Sequence, residues 1–172
     1  MKKLKYLIST TLLITLSIIS IYGQELDENL KLLEPLTNKI WQSEMEGLSG
    51  EGIIVIQREW KPIWGGKAIA YNYKAEKLNV YTEGYLFWDP DKQEIGLFTI
   101  NNKGRFMQGH VKEEDGKLLF YGYITFPDKK LEFRNIFEFT EDGNILDYWY
   151  RFTDGEWKAG HAVELVVKRK ML

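Results

Sequence analysis

The stretch that decides the fold is DGKLLFYGYITFPDKKLEFRNIFEFTEDGNILDYWYRFTDGEW, residues 115–157. It is divided into short segments by the pairs Asp115-Gly116, Asp142-Gly143 and Asp154-Gly155. Tight hairpin turns need residues with positive φ, a conformation that Asp tolerates and Gly favours. The recurrence of such pairs between apolar segments predicts consecutive antiparallel strands joined by hairpins.

The segment 131–139 has the twofold period of a strand with one buried face. Its apolar face contains Leu131, Phe133, Phe137 and Phe139, and its charged face contains Glu132, Arg134 and Glu138. Asn135 interrupts the apolar face. Because a buried amide needs partners, Asn135 is predicted to be either a structural hydrogen-bond hub or a polar contact for a ligand.

Strand-like segments separated by turns also occupy the rest of the chain from Trp41 onward. Turns are predicted at 47–52, 65–66, 75–77, 89–92, 101–104 and 127–128. About ten strands result, and no connection is long enough for a crossover helix, so the strands form a meander. An open meander would leave two unpaired edges, which closure removes. We therefore predict an all-β, antiparallel up-and-down barrel whose first and last strands pair, bringing Trp41 near Val163. A two-sheet sandwich is the structural alternative.

The N-terminus reads as an export signal followed by a short helix. Residues 1–23 combine a lysine-rich start, an apolar run shorter than the roughly 20 residues of a membrane span, and Gly23 before the expected cut. The expected mature chain, 24–172, is a single periplasmic or secreted barrel domain without a membrane span. Leucines at 26, 30, 33 and 36 have helix-like spacing and predict one short helix before the barrel.

Composition excludes several classes of function. The chain has no cysteine, which excludes disulfides and thiol chemistry, and its two histidines do not form a zinc motif. Without the three signal lysines, 20 basic residues face 25 acidic ones, a net charge of −5 that argues against nucleic-acid binding. No catalytic motif is present, and the sequence indicates neither a cofactor nor an oligomeric state.

The candidate ligand-binding residues are His161, Asn135, Trp41, Tyr148 and Tyr150. His161 shares its phase with Trp157, Ala159, Val163, Leu165 and Val167, which predicts that all of them face the barrel interior. An inward imidazole can ligate heme iron, hydrogen-bond a ligand, or serve as a satisfied core residue. The aromatic residues either line a cavity or fill the barrel.

Three arginines lie within predicted strands: Arg58, Arg134 and Arg151. An inward arginine can bind a ligand carboxylate through its fork of donors. The phase of Arg134 with Glu132 and Glu138 predicts that it faces outward. The direction of Arg151 stays open.

From Trp41 onward the order of turns and strands resembles the calycin-like bacterial β-barrels, the group that includes lipocalins, fatty-acid-binding proteins and nitrobindin. Within it, the lipocalin-like family DUF1579 is the most similar. The resemblance rests on Leu33-Glu34-Pro35-Leu36, Trp41, Glu59-Trp60, Gly65-Gly66-Lys67, 84–89, 114–117 and Lys168-Arg169.

Glu83-Gly84-Tyr85 and His161 are also similar to nitrobindin, a heme-binding barrel, although Lys39-Ile40-Trp41-Gln42-Ser43 lacks both glycines of that family's opening motif. The aromatic content of the barrel and the lack of a catalytic motif lead us to expect a non-enzymatic, lipocalin-like barrel that binds a small apolar or partly apolar molecule. The alternatives are a structural or interaction domain of the cell envelope with a filled core, a heme-binding barrel, and an enzyme on the same fold.

Overall fold

The computed structural model describes residues 25–47 and 52–170. The expected signal peptide and part of the first hairpin turn lie outside the described residues. The strands are β1 Lys39–Glu46, β2 Ile53–Ile63, β3 Ala68–Ala75, β4 Val80–Asp89, β5 Glu94–Asn101, β6 Phe106–Glu114, β7 Lys117–Thr125, β8 Lys130–Phe139, β9 Ile145–Thr153 and β10 Glu156–Lys170.

The strands form a closed antiparallel barrel in which each pairs with its neighbours in sequence and β1 pairs with β10. The predicted meander barrel is confirmed, and the two-sheet alternative is excluded because no edge is left in the ring of ten strands. Trp41 lies opposite Val167, somewhat further along β10 than expected. Turns with positive φ occur at the predicted Asp-Gly pairs, for example at Asp115 and Gly116.

The core lies inside the barrel and follows the alternation of the strands. Phe133 and Phe137 of β8 are almost completely buried, whereas Arg134 between them is exposed. Burying each large apolar side chain is worth about 1.5–3 kcal/mol, so the alternation alone fixes which face of each strand turns inward.

One end of the barrel is closed by the helix Glu28–Leu36. It is a 3-10 helix, with three residues per turn, so Leu30, Leu33 and Leu36 fall on one face, and all three are completely buried. The indole Nε1 of Trp41 donates a hydrogen bond to the Leu36 carbonyl at 2.9 Å, which ties the helix to β1. The short N-terminal helix predicted from the leucine spacing is present.

The turn between β2 and β3 supports the chain as it enters this helix. Asp27 donates its N–H to the carbonyl of Gly66 at 3.0 Å. Gly66 has φ +81°, and a Cβ there would overlap the backbone of Glu25. Only glycine allows this close approach.

The strand phase predicted for β10 is wrong in its first half. The register with β9 shifts between Ala159 and His161, so Ala159 lies opposite Tyr150 while His161 lies opposite Trp149. A bulge at this point reverses the faces. His161 therefore points inward, whereas Trp157 and Ala159 lie on the outer face.

Among the described residues, no helix is long and apolar enough to cross a membrane.

Candidate binding site at the open end of the barrel

A cavity of about 200 Å³ occupies the barrel end opposite the helix. It lies between the last residues of β3 and β5 and the first residues of β4 and β6. The cavity lining consists of Arg58, Tyr71, Tyr73, Val80, Thr82, Thr99, Asn101, Arg105, Met107, Ile124, Asn135, Trp149 and His161. A smaller space of about 30 Å³ continues beneath it toward Phe120 and Phe137.

Asp147 is the centre of a polar network at the base of this cavity. It lies on β9 and is completely buried. One carboxylate oxygen, Oδ2, lies 2.5 Å from Arg58 Nη2 and 3.3 Å from His161 Nε2. The other, Oδ1, accepts a hydrogen bond from Asn135, whose Nδ2 also donates to the Tyr148 carbonyl at 3.1 Å. A buried carboxylate needs such partners because desolvation otherwise outweighs its attraction to one counter-charge.

Arg58 and Asp147 are both charged in this arrangement. Burial acts to raise the pKa of Asp147, but the Arg58 charge and the hydrogen bonds from His161 and Asn135 outweigh burial and hold that pKa below its ordinary value. Burial likewise acts to lower the pKa of Arg58, and the Asp147 charge more than offsets it. The pair is therefore an ion pair rather than a neutral contact.

Aromatic rings fix the guanidinium of Arg58. Its Cζ lies 5.7 Å from the ring centre of Tyr73 and 5.6 Å from that of Phe137. Burial raises the pKa of the Tyr71 and Tyr73 hydroxyls, so both keep their protons. These two hydroxyls can therefore donate hydrogen bonds into the cavity.

His161 and Trp149 form the aromatic wall. Their rings are 10° from parallel with centres 6.2 Å apart, and Trp149 stacks in turn on Phe133 at 5.1 Å. Since an ionised carboxylate only accepts hydrogen bonds, His161 Nε2 carries the proton that faces Asp147. The side chain of His161 is 25% exposed.

The structure brings only part of the predicted set together. His161 and Asn135 line the cavity, and each contacts Asp147. Trp41 lies in the core at the helix-closed end and is completely buried. Tyr148 and Tyr150 project from the outer face of β9, opposite Ile136 and Arg134, so they do not contribute to the cavity.

Sequence reasoning missed Asp147 and the inward direction of Arg58. Arg58 shares its phase with the buried residues Ile54, Ile56 and Trp60, a signal that could have placed it inside. Asp147 gives no such signal, because the apolar residues Leu146 and Tyr148 make the opposite face of β9 look like the buried one.

A larger cavity, of about 520 Å³, is a groove on the outer surface. It contains acidic and basic side chains in equal number, Asp89, Glu132, Lys92 and Arg134, with Arg134 Cζ lying 4.3 Å from the Trp157 ring centre. These charged groups are accessible to solvent. We assign the site to the barrel interior, where charged groups are buried and converge on one cavity.

Because the pKa of Asp147 is lowered in the folded state, the free energy of unfolding depends on pH in the acidic range. The contribution of Asp147 is fully present above its unfolded pKa of about 3.9 and is lost as the pH falls through the lower folded-state pKa. We expect Asp147→Asn to be less stable than the wild type at pH 7 but to lose less of its free energy of unfolding on acidification toward about pH 3. Urea unfolding at a series of pH values measures both slopes. The other carboxylates are the same in both proteins, so their contributions to the pH dependence cancel in the comparison. If the free energy of unfolding depends equally on pH in both proteins, the lowered pKa of Asp147 is contradicted.

Within the described residues, no group of three or more His, Asp or Glu side chains could hold a metal ion. Comparisons with protein-family models and with curated proteins gave no match.

Proposed function

We propose that this barrel binds a small, partly apolar molecule in the cavity at its open end. The observation that carries the proposal is the buried network of Arg58, Asp147, Asn135 and His161 at the base of a cavity with an aromatic wall. Four polar side chains converge there, although apolar side chains of similar volume are often at least as stable in place of a buried ion pair.

The cavity dimensions limit the ligand. Sites for drug-sized ligands are typically about 300–1,000 Å³, larger than the 200 Å³ available here. Leu30, Leu33 and Leu36 close the far end, so a long chain cannot pass through the barrel. These features favour a compact molecule of about one ring. If the chain is exported, as its N-terminus leads us to expect, binding takes place outside the cytoplasm.

Heme fits this cavity poorly. His161 faces the interior and its Nε2 contacts Asp147, an arrangement in which Nδ1 could serve as an axial ligand. A porphyrin is nevertheless larger than the cavity and would require the open end to widen. Ferric heme is therefore the comparison ligand: a shifted Soret band that His161→Ala abolishes would favour heme over a compact molecule.

Filling the cavity should abolish binding. Thr82 lines the cavity from β4, and an indole in its place would occupy most of the space. We expect Thr82→Trp to weaken the binding of indole, benzyl alcohol or benzoate at least about tenfold in calorimetric titrations, because the ligand would have to displace the new side chain. Thr125→Trp, on the outer face of β7, is the matched control and should leave binding unchanged.

Native mass spectrometry of protein purified from its host is the complementary measurement. A small molecule that accompanies the wild type but not Thr82→Trp would support the proposal. If nothing accompanies the wild type and none of the three compounds binds, the domain is a structural or interaction module instead.

A further inference from the structure

We infer that the ligand of this cavity is a small planar monoanion, with its acidic group held by the arginines and its ring packed on the wall formed by Trp149 and His161. This inference rests on the proposed function and specifies the class of ligand. It follows from the charge, the free hydrogen-bonding groups and the shape of the cavity.

The charge of the cavity lining is positive. Arg58 and Arg105 both line it, and none of its lining residues is an Asp or Glu. Asp147 lies below the lining, where its oxygens are engaged by Arg58, Asn135 and His161. Asp147 compensates the charge of Arg58, whereas no carboxylate among the lining residues compensates that of Arg105. A ligand with a single negative charge balances it.

Hydrogen-bond donors are available in the same region. Arg58 lines the cavity and uses Nη2 for Asp147, whereas its Nε is inaccessible and has no partner among the described residues. A guanidinium has five donor hydrogens in a rigid fork, and the rings of Tyr73 and Phe137 fix its plane. The hydroxyls of Tyr71 and Tyr73 add two donors, which suit the acceptor oxygens of an acidic group.

The shape of the cavity favours a flat molecule. Trp149 stacks on both His161 and Phe133, and the side chains of Trp149 and His161 border the cavity. Edge-to-face or offset contacts with these side chains stabilise an aromatic ring beyond the area it buries. At about 200 Å³ the cavity accommodates one ring with one acidic substituent, which excludes long acyl chains.

Three compounds of the same size test this inference: benzoate, benzamide and benzylamine. In calorimetric titrations of the full mature chain we expect benzoate to bind at least about tenfold more tightly than benzamide, because charge-assisted hydrogen bonds are about twice as strong as neutral ones. Benzylamine should not bind measurably. The preference for benzoate over benzamide should shrink as salt screens Arg105 at the rim.

Arg105→Gln provides the second arm of the test, because Arg105 is exposed and its loss leaves no charge buried. We expect this variant to weaken benzoate binding several-fold and to leave benzamide binding unchanged. Arg134→Gln, on the outer face, is the control and should change neither.

The outcomes separate the two proposals. Equal binding of benzoate and benzamide, or a preference for benzylamine, would overturn the anion inference while the binding function stands. Failure of all three compounds while indole or benzyl alcohol binds would also overturn only the anion inference. Failure of all five compounds would contradict both proposals.

Discussion

We expect Arg58→Met to lower the free energy of unfolding by about 3–5 kcal/mol, the typical cost of removing one partner from a buried ion pair. The variant keeps most of the side-chain volume between the rings of Tyr73 and Phe137 but leaves the completely buried carboxylate of Asp147 without its counter-charge. Urea unfolding at pH 7 measures the loss. Arg134→Met is the matched control, since Arg134 is exposed on β8, and it should change stability by no more than about 0.5–1 kcal/mol.

The double variant Arg58→Met/Asp147→Leu separates the cost of an unpaired charge from the value of the pair. With both charges removed, we expect much of the lost stability to return, because apolar replacement of a buried ion pair is often neutral or stabilising. A loss of stability in Arg58→Met that is recovered in the double variant would show that the polar network is not needed for the stability of the barrel. If Arg58→Met alone is as stable as Arg134→Met, the carboxylate of Asp147 is not buried as described.

The double variant also connects stability with function. If it folds as stably as the wild type but no longer binds benzoate, the network is present for the ligand rather than for the fold. Buried charged groups of this kind are concentrated at functional sites, where they are retained despite their cost. Binding that survives in the double variant would place the ligand elsewhere.

The architecture could be predicted from sequence because its determinants are local. Asp115-Gly116, Asp142-Gly143 and Asp154-Gly155 each supply the positive φ that a hairpin requires, and the alternation in 131–139 sets the buried face of β8. Hairpins between neighbouring strands fix the whole topology except the closing contact. That contact, β1 with β10, follows from the need to satisfy two edges.

The candidate site was only partly predictable because its determinants are not local. The inward direction of His161 was predicted correctly because His161 alternates in phase with Val163 and Leu165. The bulge at Gly160 reverses this phase for Trp157. The alternation of apolar and polar residues contains no signal that predicts such a bulge. On β9 the face of Leu146 and Tyr148 is the more apolar one, whereas the face of Asp147 also carries Arg151, so Asp147 is expected outside. Its inward position depends on Arg58, which is distant in sequence and reaches Asp147 only across the barrel.

The helix that closes the barrel gives the remaining prediction. We expect Leu33→Ala to lower the free energy of unfolding by about 2–5 kcal/mol, because Leu33 is completely buried among Leu30, Leu36 and the barrel core, where the surrounding strands can relax only partly into the cavity that is left. Leu32→Ala is the matched control: it removes the same atoms from a partly buried neighbour that packs at the edge of the core, so it should cost clearly less. Urea unfolding of the two variants under identical conditions compares the losses directly. Equal losses would contradict the placement of Leu33 on the buried face of the helix and of Leu32 at its edge.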